Sequence, residues 1–172
     1  VAVVEALKAA NPALKAGFVG AKVAVEPDAS LSRSAAIDFV AGNEFDFTIR
    51  DIAEGRDWKA IAGLSYRDAN GAIRHNPPRP ILENMDELPF VTPVYKRDLD
   101  IDQYFIGYLR HPYLSFYTGR GCKSRCTFCL WPQTVGGHRY RPPTSDHVPA
   151  DIPRPKQHFP QFRAFFFAAP LF

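Results

Sequence analysis

All three cysteines of this 172-residue chain fall in one short segment, as Cys122, Cys126 and Cys129 in the pattern Cys-x3-Cys-x2-Cys. An odd, clustered set is a poor disulfide framework and a good metal site. Thiolates are the ligands of iron–sulfur clusters, and a four-iron cubane closed entirely by protein takes four of them. Three thiolates leave one iron open, and an open iron is a reaction site. The spacing lets a short loop wrap one face of a cluster and present each sulfur to a different iron. Gly119 and Gly121 let that loop leave the preceding element sharply and approach the cluster closely. Zinc held by the three thiolates and His138 is the competing ligand set. The gap from Cys129 to His138 matches no common zinc finger, and Cys-x3-Cys is unusual for zinc. Lys123, Ser124 and Arg125 make the loop polar, which argues against inert buried cysteines, and the two charges read as solvated. An electron-transfer protein would normally close its cluster with four cysteines.

The elements that must position this loop read as follows. Tyr113 to Thr118 is aromatic and alternating, so a strand runs straight into Gly119-Arg120-Gly121 and the cysteines. Phe162 to Phe167 reads as a second strand. Between them the chain is rich in proline, and Pro149, Pro153 and Pro155 are expected to disrupt any helix among them. Trp131 and Pro132 either line a ligand pocket or pack the loop, and Gly136-Gly137-His138 reads as a loop with a surface histidine.

Upstream, Val1 to Ala10 has helical composition and stops at Asn11-Pro12, and Ala16 to Gly20 fits a buried parallel strand. Asp28 or Ser30 caps an expected helix carrying Leu31, Ala35, Ile37, Phe39 and Val40 and ending at Gly42. Phe45 to Ile49 alternates like a strand, with Asp46 and Arg50 paired on its edge. Helix, strand, helix, strand is the rhythm of half a doubly wound sheet. Residues 61–75 read as a hairpin about Asp68-Ala69-Asn70-Gly71. Asn76 to Pro80 is an extended, proline-rich linker, Glu83 to Leu88 one helical turn, and Pro89 and Pro93 keep the next stretch irregular.

Composition is that of a globular protein, 46% hydrophobic and 23% charged. The net charge of +3 is not concentrated in any run of Lys and Arg, so nucleic acid is not an expected partner. No apolar stretch approaches the roughly 20 residues that span a bilayer. There is no nucleophile–base–acid set and no P-loop, and Gly17 and Gly20 do not make a dinucleotide fingerprint. The chain begins at Val1 and its single methionine is Met85, so a cut N-terminus is expected.

From Gly119 onward, GRGCKSRCTFCLWPQTVGGHRYR resembles cobalamin-domain-containing radical S-adenosylmethionine (SAM) enzymes, most closely the hopanoid-biosynthesis-associated subfamily. The aromatic Phe128 just before the last cysteine is part of that pattern. Residues 45–90 resemble, more weakly, the join between the two domains of such enzymes. The resemblance implies an α/β fold: the C-terminal part of a Rossmann-like cobalamin-binding domain (residues 1–60), a hairpin and Pro-rich linker (61–111), and the truncated start of a radical SAM partial (β/α) barrel (112–172). It implies Cys122, Cys126 and Cys129 as ligands of a [4Fe–4S] cluster, and Phe128 as the residue whose backbone contacts the adenine of SAM.

The implied reaction is reductive cleavage of SAM to a 5′-deoxyadenosyl radical that abstracts a substrate hydrogen. Hopanoid side-chain biosynthesis is the implied setting, with a small-molecule or lipid-linked substrate. An external flavodoxin- or ferredoxin-like donor would supply the electron, in a reducing cytoplasm. The alternative is a non-catalytic module stabilised by an iron–sulfur cluster or zinc. The chain departs from the family in three places. The loop with a histidine ligand for cobalamin is absent, and His75, His111 and His138 lie elsewhere. Ala168-Ala169-Pro170 stands where acidic residues near the SAM ammonium are expected. The stretch from Cys122 to Phe172 is too short to close a barrel, so an inactive fragment is expected.

Overall fold

The computed structural model of the chain describes residues 1–130, 136–144 and 154–168. The chain divides into two compact units, Val1–Leu82 with Lys123–His138, and Glu83–Cys122 with Arg139–Phe172.

The first unit is built on a four-stranded sheet in the order β1-β2-β3-β4. Strands β1 (Gly17–Val19) and β2 (Phe39–Ala41) are parallel, connected through helices α2 (Ala21–Val25) and α3 (Pro27–Ser32). β3 (Leu64–Arg67) runs antiparallel to β2, and β4 (Ile73–His75) antiparallel to β3. The hairpin is therefore present and continues the same sheet. Its turn is held by Asp68, whose carboxylate accepts the amides of Asn70 and Ala72, both at 2.9 Å, while Gly71 adopts φ of 80°. Helix α1 (Ala2–Ala10) ends at Asn11 as its proline neighbour requires, and is tied on by Lys8 to Asp38 and by Ser34 to Glu5 at 2.7 Å.

All three residues of β2 are buried, so this short strand has a core on both faces. One face gathers Phe39, Ile61, Leu64 and Tyr66 with Ile49, Ile52 and Trp58; the other gathers Leu31, Ile37 and Val40 with Phe18, Val23 and Ile73. Trp58 meets Phe39 and Tyr66 edge-on, at 5.5 and 5.8 Å between ring centres. Gly17 is dictated by this packing: a Cβ there would stand 2.1 Å from the Phe39 ring.

Two sequence expectations are corrected here. The expected helix running to Gly42 ends at Ser32, and its last apolar residues form β2 instead. Its N-cap is Glu26 with Pro27 in the first turn, while Ser30 donates its hydroxyl back to the Glu26 carbonyl at 2.9 Å. The expected strand at Phe45 to Ile49 is helix α4 (Asp46–Ala53). Ile49 and Ile52 lie three apart and reach the same core, which a helix achieves and a strand would not. Arg50 pairs with Asp51 and Glu54 on this helix, both at 3.7 Å.

The proline-rich segment after β4 is pinned to the sheet. The Asn76 amide nitrogen donates to the carbonyls of Trp58 (2.6 Å) and Ile61 (2.8 Å), and the Gly63 N–H donates to Pro77 at 2.8 Å. Arg79 donates to the Thr48 hydroxyl at 2.9 Å and pairs with the buried Asp51 of α4.

In the second unit, β5 (Tyr113–Tyr117) and β6 (Ala164–Ala168) pair in parallel, from Tyr113 opposite Ala164 to Tyr117 opposite Ala168. Leu114 and Phe116 point inward with Ile101 and Phe159, and Tyr95, Phe162 and Phe165 pack around them. Burial of such side chains, about 1.5–3 kcal/mol each, decides which face of β5 turns inward. A 3-10 turn at Met85–Glu87 matches the helical turn expected there. The stretch expected to be irregular is helix α5 (Val91–Asp98), with Pro93 in its first turn, where a missing N–H breaks no intrahelical bond. Likewise α6 (Arg154–His158) forms with Pro155 in its first turn, contrary to the expected disruption at that proline. Pro149 and Pro153 lie outside the described residues. Among the described residues no helix is long and apolar enough to cross a membrane.

Candidate metal centre

The cysteine segment starts where β5 ends. The alternation that buries Leu114 and Phe116 stops at the exposed Tyr117, and the next residues form a closed neck. The Tyr140 hydroxyl donates to the Thr118 carbonyl at 3.0 Å. The same ring lies over Gly119, where any Cβ would come within 2.7 Å of it. Arg120 and Arg141 then exchange both backbone hydrogen bonds, at 3.0 and 2.8 Å, as an isolated antiparallel bridge. Gly121, buried and with φ of 80°, turns the chain into Cys122. The two ends of the loop are thus fastened side by side at the carboxyl end of β5. In a parallel α/β sheet that end is where ligands bind.

Cys122 belongs to the second unit with this neck, and Cys126 and Cys129 belong to the first. The Cys129 N–H donates to the Cys126 carbonyl at 3.1 Å, so these two cysteines sit on one turn. All three thiols are free; Cys126 is exposed and the others are half-buried. Among the described residues no three His, Cys, Asp or Glu side chains converge as a metal group. The donor set nevertheless fits a cluster. It consists of soft thiols, and no helix or strand between Cys122 and Cys129 has to be broken to gather them. Phe128 is 91% exposed, the most exposed large apolar side chain described. Lys123 and Arg125 are solvated, as expected.

His138 Nδ1 lies 3.2 Å from the Ser124 carbonyl. A carbonyl only accepts, so this nitrogen carries the proton and donates, and only Nε2 remains for a metal. Gly136 is buried, with its N–H on the Asn43 carboxamide oxygen at 3.3 Å. His75 lies on β4 of the first sheet, with its ring between the Ser65 hydroxyl (2.9 Å) and Asp28 (3.2 Å). Trp131, Pro132, Ala169 and Pro170 lie outside the described residues.

A cavity of about 380 Å³ opens in the first unit beside the carboxyl end of β2, lined among others by Gly42, Asn43, Gly63, Ser65, Asn76 and Arg79. Sequence reasoning passed over it. The available signal was Gly42-Asn43 directly after a buried apolar run, and Asn43 does adopt φ of 53°, rare outside glycine. Behind the cavity, burial alone would raise the carboxyl pKa of Asp51. Its hydrogen bond to Arg79 and the charges of Arg79, Arg56 and Arg50 outweigh that and hold it below the ordinary carboxylate value.

No protein-family model matches the chain. An uncharacterized methyltransferase of Pyrococcus horikoshii is 35% identical over 114 residues, which cover 64% of this chain and 24% of that protein. Among solved structures, the cobalamin-dependent SAM radical enzyme OxsB with aqua-cobalamin bound superposes with a TM-score of 0.66 at 19% identity. That match covers 98% of this chain and 23% of OxsB. The radical SAM methyltransferase TsrM from Kitasatospora setae, with tryptophan and a SAM analogue bound, gives 0.62 at 19% identity over 98% of this chain and 32% of TsrM. The chain therefore has the fold of a portion of cobalamin-dependent radical SAM enzymes. It spans about a quarter of the curated relative it matches.

Proposed function

We propose that this chain is the junction portion of a cobalamin-type radical SAM enzyme, with Cys122, Cys126 and Cys129 as the protein ligands of a [4Fe–4S] cluster. The observation that carries the reading is the cysteine loop itself. Three free thiols at the x3 and x2 spacing lie on a loop whose neck is clamped at the carboxyl end of a parallel strand. When bound, a cluster with one open iron holds SAM by its amino and carboxylate groups and delivers the electron that yields methionine and a 5′-deoxyadenosyl radical.

The rest of the work falls to the chain. The Tyr140–Thr118 bond and the Arg120–Arg141 bridge hold the loop's ends in register with β5. Exposed Phe128 would present its backbone to the adenine of SAM. The parallel pair β5 and β6, joined through α6, serves as the first two strands of a partial (β/α) barrel. Residues 1–60 belong to a Rossmann-like domain of the cobalamin-binding type. Cobalamin is a possible cofactor of the full-length enzyme.

For the whole enzyme, hydrogen abstraction from a polar hopanoid side chain is the substrate reading, supported by the sequence of the cysteine loop. An external flavodoxin- or ferredoxin-like protein supplies the electron, in a reducing cytoplasm. Methyl transfer is the second reading, favoured by the methyltransferase relative and by the likeness to TsrM.

Anaerobic reconstitution with iron and sulfide, followed by EPR of the reduced protein with and without SAM, tests the site. The expected result is a [4Fe–4S] signal that SAM perturbs. Stoichiometric zinc with no such signal would overturn the reading and leave a zinc-stabilised module. Product analysis of the full-length enzyme separates 5′-deoxyadenosine with a demethylated cosubstrate from 5′-deoxyadenosine alone.

A further inference from the structure

The amino-terminal ends of β5 and β6 carry a second, chemically distinct group. Arg110 and His111 precede β5, Arg163 precedes β6, and the three line an open cavity of about 530 Å³. The Arg163 N–H donates to the Pro112 carbonyl at 2.8 Å, which locks the two approaches together at the foot of the strands. Parallel strands place the cysteine loop, at Gly119 onward, at the opposite end of the same pair.

Three observations bear on what this cavity takes. Neither Arg110 nor Arg163 has an ion-pair partner among the described residues, and both are exposed. His111 is only partly exposed, with its ring edge-on to Phe105 at 5.7 Å between centres. Its Nδ1 is fully shielded by protein and has no hydrogen-bond partner. Shielded in this way it is out of reach of a ligand in the open cavity, so His111 contributes wall rather than a hydrogen bond. Two guanidinium forks on the rim select an anion, and their planar donor pairs match the oxygens of a phosphate group.

We propose that Arg110, His111 and Arg163 form an oxyanion site for a phosphate group carried by a small molecule. The two guanidiniums supply paired N–H donors, and His111 completes the lining of the cavity. The site is independent of the cluster reading, since it uses no residue of the cysteine loop.

The experiment is titration of the full-length protein with inorganic phosphate, followed by calorimetry and by 31P line broadening, with malonate as the carboxylate probe. Wild type is expected to bind phosphate saturably and in preference to malonate. R110A/R163A should weaken binding at least tenfold, while R33A, an exposed arginine of the first unit, leaves it unchanged. Circular dichroism establishes that each variant is folded; R110K/R163K serves if the alanine pair is not. Absence of saturable phosphate binding by wild type overturns the proposal, as does equal loss in R33A. A preference for malonate also overturns it, because the site would then be a carboxylate receptor.

Discussion

The first sheet and the cysteine loop treat their polar groups in opposite ways. In the sheet, Asp51 meets Arg79, Arg56 and Arg50; Asp68 caps its own turn; Asp38 takes both Lys8 and the Ala16 N–H. In the loop, the neck is closed by hydrogen bonds, yet the cysteines beyond it are free and Phe128 stands in solvent. Polar groups that hold a fold are paired within it, because an unpaired buried group costs about 1–3 kcal/mol. Groups that serve a ligand are left for the ligand.

The largest expected break in this contrast comes from the thiols. C122A, C126A and C129A should each abolish [4Fe–4S] content and SAM cleavage in the full-length enzyme, measured as iron per chain and 5′-deoxyadenosine. Apo-protein stability should stay nearly unchanged, since no thiol is disulfide-bonded or fully buried. A large loss of apo stability would place the cysteines in the structural class instead.

Arg79→Ala is the converse experiment. It strips the buried Asp51 of its hydrogen-bonded partner and should cost about 3 kcal/mol in urea unfolding. Because the folded-state pKa of Asp51 lies below its ordinary value of 3.8, its contribution is fully present above that pH. It is lost as pH falls through the lower folded value. Unfolding followed from pH 6 to pH 2 should show an acid-dependent limb below about pH 4 that D51N flattens.

Gly17→Ala drives a methyl group into the Phe39 ring and should destabilise by about 1–3 kcal/mol in the same assay. The smallest effect is expected from Tyr140→Phe, which removes one hydroxyl bond to Thr118 at about 1 kcal/mol. Its sharper readout is the EPR line of the reconstituted cluster, which should broaden if the neck sets the loop's geometry.

Where local pattern and burial agree, the sequence was sufficient. Leu114 and Phe116 alternate with polar or exposed neighbours, and they form β5. Asp68-Ala69-Asn70-Gly71 carries its own turn chemistry, and it turns there. The cysteine spacing carries the metal-site proposal because ligand chemistry is written in residue type and separation. Residues 31–53 went the other way. Phe39 and Val40 fit either period, and the choice fell to a strand because each has a separate core to fill on either side of the sheet. Phe45 to Ile49 alternates, yet it is helical because Ile49 and Ile52 must reach one face while Thr48 donates to the Ala62 carbonyl. No local signal announces the Arg120–Arg141 bridge, the Asp51–Arg79 pair or the meeting of Arg110, His111 and Arg163. Each joins residues more than twenty positions apart, and only the folded chain brings such residues within hydrogen-bonding or charge range.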